Sequence, residues 1–194
     1  MDSIFGFVGK DYVLIAADGT QARSIVVMKQ DTDKIRILDE SKLMACVDLS
    51  AGDRDHFTDY VEKNLHLYHL RNDFRLTTAA TANFTRRELA DSLRSRNPYN
   101  VHILLGGVDS GVPSLYYMDY LASSNKVDFG AHGYCSYFVL SLFDKSWKKD
   151  MTIEEGKTLL KQCIAEIQKR FMVSQPNFFI KIVDKEGSRD FRLD

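Results

Sequence analysis

Cysteine and proline are scarce in this sequence, and long apolar runs are missing. Its three cysteines, Cys46, Cys135 and Cys163, stand far apart along 194 residues. An odd, scattered set offers no disulfide framework and suits a reducing compartment, read here as cytoplasm and nucleus. No apolar stretch reaches the roughly 20 residues that a membrane-spanning helix needs. No basic segment followed by an apolar one opens the chain, so no signal peptide is read. Neither sign of charge dominates: 26 basic and 27 acidic residues leave a net charge of -1. Nothing therefore points to nucleic acid or an anionic membrane as a partner. There is no C-x-x-C pair, no H-E-x-x-H, no P-loop and no G-x-G-x-x-G, so neither a metal nor a cofactor is expected. With three prolines, no low-complexity tract and no internal repeat, residues 1–194 read as a single domain.

What remains is an ordinary globular composition, 44% hydrophobic and 27% charged. Its periodicity changes along the chain. Ile4 to Val8 and Tyr12 to Ala17 are short apolar runs around Gly9, Lys10 and Asp11, which predicts a β-hairpin. The second run does not alternate, so both of its faces should be covered. A buried strand beginning near residue 3 brings the start of the chain inside the fold. Gly19 to Ser24 reads as a loop. Strands follow at Ile25 to Met28, Lys34 to Leu38 and Leu43 to Val47, so the first fifty residues predict an antiparallel meander.

Helical period then takes over. Asp53 is a candidate cap, and Phe57, Tyr60, Val61, Leu65 and Tyr68 share a face until Asn72 and Asp73. Thr77 or Thr78 opens a second helix, which Asn97-Pro98 stops. Tyr99 to Val108 and Ser114 to Tyr120 form a hairpin about Asp109-Ser110-Gly111. Lys126 to Phe129 reads as one more strand. Cys135 to Phe143 predicts a buried helix, and Thr152 to Glu155 a capping box opening another. Asn177 to Val183 is the last strand, with Arg189, Asp190, Arg192 and Asp194 in an exposed tail. Strands, two helices, strands, two helices and a strand make an α+β fold with paired helices.

The opening, Met1 to Asp18, with Asp33-Lys34-Ile35, resembles a 20S proteasome β subunit. Arg94 to Tyr99, Tyr116 to Tyr120, Gly130 to Tyr134 and Ile180 to Gly187 carry the resemblance through nearly the whole chain. It implies a four-layer αββα sandwich, the N-terminal-nucleophile hydrolase fold. Active members of that family expose a threonine at the head of the first strand, whose hydroxyl attacks the peptide while its own amine takes the proton. Here that position holds Asp2, with Met1 before it and no propeptide expected. Asp18 matches the family's supporting aspartate and Lys34 its lysine. The oxyanion glycine falls near Asp48, a family serine is replaced by Tyr134, and a later aspartate and serine fall near Phe171 and Ser174.

The resemblance therefore implies a non-catalytic member, most like the one at the fourth position of the β ring. Asp18 and Lys34 are then vestigial and form a buried ion pair, a constraint more than a source of stability. The implied partners are other α and β subunits in a stacked four-ring hetero-oligomer, with unfolded substrates of ATP- and ubiquitin-dependent degradation in its chamber. The two later helices and their connection, with Trp147, would meet the opposite ring. Gln21 to Ser24 and Ser114 to Tyr120 would face ring neighbours. Two other readings stand beside this one. The chain is an active N-terminal-nucleophile hydrolase if processing exposes Ser3, or a free-standing binding module. Weaker candidates have plainer explanations. Gly107 to Gly111 mimics a nucleophile loop but is a hairpin turn. His66 and His69 share a helix face without further ligands, His132 reads as a packed loop residue, and Tyr116, Tyr117 and Tyr120 as core or interface rings.

Overall fold

The computed structural model describes residues 2–23, 26–48 and 52–193. Met1, Ser24, Ile25 and Asp194 of the sequence reading lie outside them. Strand β1 (Ser3–Val8) turns through residues 9–12 into β2 (Val13–Asp18), pairing Val8 with Val13 and Ile4 with Ala17. All six residues of β2 are buried, as its unbroken apolar run predicts. The next segment departs from the sequence reading. Gln21–Arg23, expected in a loop, forms β3 and pairs with β4 (Val26–Lys29) in a separate two-stranded ribbon. Strands β5 (Ile35–Asp39) and β6 (Lys42–Asp48) belong to a different sheet from β1 and β2. The expected meander is thus divided among three sheets, because alternation fixes which face of a strand is apolar and not which strand lies beside it.

Helix α1 (Asp53–Asn72) has Gly52, at φ 98°, as its N-cap; Asp53 is the first helical residue and its carboxylate accepts the Asn100 amide. Tyr60, expected inward, is exposed. Thr77 caps α2 (Thr78–Leu93) by accepting the Ala80 amide. Strands β7 (Val101–Asp109) and β8 (Val112–Met118) form the expected hairpin, with Ser110 at φ 50° and Gly111 at φ 80° in a two-residue turn. Asp109 also accepts the Thr78 amide, tying this turn to the start of α2.

The single strand expected at 126–129 is two. β9 (Ser124–Val127) ends one sheet, and β10 (Phe129–Gly133) begins the other. α3 (Ser136–Ser146) is amphipathic rather than buried: Val139 and Phe143 point inward while Tyr137 is 78% exposed. α4 (Ile153–Arg170) opens on the expected capping box of Thr152 and Glu155. β11 (Phe178–Asp184) pairs with β12 (Gly187–Asp190), so Arg189 and Asp190 lie in a strand and not a loose tail; Arg189 grips Asp184 through two 2.7 Å bonds.

Two five-stranded antiparallel sheets result, ordered β10-β1-β2-β11-β12 and β5-β6-β7-β8-β9. Side-chain alternation sorts three cores. Phe5, Phe7, Leu14 and Ala16 meet the α3–α4 layer at Val139, Phe143, Leu160 and Cys163. Met44, Cys46, Ile103 and Leu105 meet α1 and α2 at Phe57, Val61, Ala82 and Leu89. Ile4, Val13, Ile15, Leu43, Ala45 and Leu104 close the seam between the sheets. Each fully buried aliphatic or phenyl side chain contributes about 1.5–3 kcal/mol. This is the expected αββα sandwich.

Candidate functional site

The head of β1 is where the candidate residues meet. Antiparallel pairing of β1 with β2 brings Ser3 beside Asp18, the last residue of β2. Lys34 lies one residue before β5, and its carbonyl accepts the Cys46 amide, which anchors it to β6. Its side chain, with no exposed surface, enters the same space. The ammonium lies 2.8 Å from Asp18 Oδ1, 2.8 Å from Asp2 Oδ1 and 2.8 Å from the Thr20 carbonyl. Asp18 also accepts the Ser3 amide at 2.7 Å and the Thr20 amide at 3.0 Å. Burial pushes the Asp18 carboxyl above its ordinary range, against the pull of Lys34, and the charge of Asp2 pushes the same way.

The sequence placed Asp18 with Lys34, and the structure brings them together. It missed two partners. Asp2 entered the sequence reading only as a substitute for the family threonine, yet its carboxylate shares the lysine. An acid at the head of a strand facing a lone lysine is the signal that could have found it. Thr20 contributes a backbone carbonyl, for which side-chain identity carries no signal. Two carboxylates on one ammonium suit holding a strand in place better than moving a proton.

The remaining matches make their contacts elsewhere. Asp48 ends β6 and accepts the Arg54 amide. Tyr134 is exposed between β10 and α3. Phe171 ends α4 and packs edge-on against Phe138, while Ser174 is exposed. Ser3 is fully buried within β1 opposite Gly133. His66 and His69 line a cleft of about 500 Å³ between α1 and β5, and among the described residues no group of three His, Cys, Asp or Glu side chains is placed to hold a metal. His132 belongs to β10 rather than a loop. Its ring stacks on Tyr117 at 4.0 Å and its Nε2 lies 3.1 Å from the Ile103 carbonyl. Burial lowers its pKa to about 3. The Gly107 to Gly111 segment is the β7–β8 turn.

Stacked antiparallel sheets between helix pairs define an N-terminal-nucleophile hydrolase fold, with Asp2, Asp18 and Lys34 gathered at the head of its first strand. The proteasome subunit family model matches residues 2–183, and the chain belongs to that family. It is 52% identical over 192 residues to proteasome subunit beta type-2 of Oryza sativa subsp. japonica, covering 98% of this chain and 90% of the rice protein. It is 46% identical to proteasome subunit beta type-2 of Dictyostelium discoideum, covering 96% and 95%. Proteasome subunit beta type-4 of Saccharomyces cerevisiae is 41% identical, with 97% and 96% covered.

Proposed function

We propose that this chain is a non-catalytic β subunit of the 20S core particle, at the fourth position of the inner ring. It walls the proteolytic chamber, packs beside two β neighbours, meets α subunits on one side and the opposite β ring on the other. The chamber's substrates are unfolded proteins, and the particle works in cytoplasm and nucleus. The observation that carries this reading is Asp2. By the family resemblance its carboxylate takes the place of the acting hydroxyl, and it is ion-paired to Lys34. Lys34 and Asp18 then organise the β1–β2 hairpin and take no part in proteolysis.

Exposed apolar residues supply interface candidates. Val26 is 60% and Met28 70% exposed on the ribbon, which fits a ring neighbour; Tyr137 on α3 fits the opposite ring. Trp147 serves that contact from within. Its indole N–H donates to the Val8 carbonyl at 2.9 Å and its ring packs on Phe129, fixing the α3–α4 connection on which Lys148 and Lys149 are exposed. The test is native sizing of the tagged chain in a gentle lysate, with partners and the intact chain mass read by mass spectrometry. A very large particle containing α and β chains, with Asp2 retained, is expected. A lone chain, or one starting at Ser3, would overturn the proposal.

A further inference from the structure

A lysine ammonium has three N–H donors, and each donor of Lys34 has its own acceptor at 2.8 Å. Two acceptors are built into the wall. Asp18 is fully buried and fixed by the Ser3 and Thr20 amides, and the Thr20 carbonyl belongs to a residue 2% exposed. The third is different in kind. Among the described contacts, the Asp2 carboxylate is held by Lys34 alone, and its side chain keeps 16% exposure. It comes to the ammonium from the solvent side. A cavity of about 290 Å³ has Lys34, Arg36, Arg54 and Lys181 in its wall, set against Asp33 and Asp55. Arg54 is itself buried and feels the charge of Asp2.

We propose that the outward donor of Lys34 is a carboxylate-binding site that Asp2 fills as an internal ligand, and that a small free monocarboxylate takes its place when the Asp2 carboxylate is withdrawn. This rests on the reading that Asp2 is retained in the mature chain. The physical ground is that a charge-assisted hydrogen bond is strong in a half-dry site. An ammonium donor left without an acceptor there is costly, so the vacancy favours an anion small enough to enter.

The test uses the chain in its assembly, carrying Asp2→Ala. An amine-acylating reagent is applied and Lys34 modification is followed by peptide mass spectrometry, with formate or with neutral, isosteric formamide added. Lys34 of the unaltered chain should resist acylation. In Asp2→Ala it should react about tenfold faster, the scale of losing one charge-assisted hydrogen bond. Formate should restore the resistance and formamide should not. Asp2→Asn, which keeps the space filled, should ignore formate. If Asp2→Ala does not assemble, Asp2→Ser leaves similar room and is read in the same way. A Lys34 that stays resistant without the Asp2 carboxylate, or that answers formate and formamide alike, overturns the proposal. Intact mass on the same sample separates the two readings. A chain beginning at Ser3 removes both, whereas a retained Asp2 with no formate effect removes this one alone.

Discussion

Gly133 is the residue on which the placement of Asp2 depends. Its φ is +84°, and a Cβ there would run into the Asp2 carbonyl. Gly133→Ala is therefore strained twice, by conformation and by collision. A loss of more than about 1 kcal/mol is expected in denaturant titration, together with readier acylation of Lys34 as Asp2 is pushed aside. His132 supplies the clearest pH dependence. Its pKa is about 3 in the fold and near 6.5 in an unfolded chain, so between those values the unfolded state binds the extra proton. Stability should fall as pH drops below about 6.5, by up to about 1.4 kcal/mol per pH unit from this group. His102, 4.9 Å away ring to ring and also depressed by burial, adds in the same sense. Denaturation midpoints at pH 7 and pH 5 should separate less in His132→Gln than in the unaltered chain; equal separation would mean that other groups dominate. At this scale Asp18 and Lys34 were legible through the family resemblance, while the Thr20 carbonyl was invisible because any residue has one.

Elements were legible where side chains speak for themselves. The capping box at Thr152 and Glu155 is local chemistry, and both reciprocal bonds are present. Thr152→Ala should cost about 1 kcal/mol, read as a lower thermal midpoint with the fold's circular dichroism unchanged. Asp53 misled because an acid near a helix start can cap or can simply sit in the first turn; a glycine in the left-handed region took the cap instead. The run 135–143 misled because its apolar count suits a buried helix. α3 lies in an outer layer, where one face is covered by the sheet and the other carries Tyr137. The ribbon of β3 and β4 was half seen, since Gln21–Arg23 is too polar and too short to announce a strand.

The architecture of the whole molecule depends on the seam between sheets, which local pattern does not reveal. Leu104 is fully buried there, and Leu104→Ala should destabilise by about 2–5 kcal/mol. Reduced incorporation into the particle would accompany it. Gly106 lets the sheets approach, since a Cβ there would lie 2.7 Å from Val13 Cγ1. Composition and period gave α+β, but the four layers came from family resemblance, because strand partners such as β1 with β10 are over a hundred residues apart. The same layering hides every thiol. Cys46, Cys135 and Cys163 are all buried, and burial pushes the Cys135 and Cys163 pKa values up to about 12. Thiol-directed dyes thus meet a silent background in this chain, and one cysteine introduced on the exposed face of α3 would report by fluorescence whether that face is covered, without any of its own cysteines having to be removed.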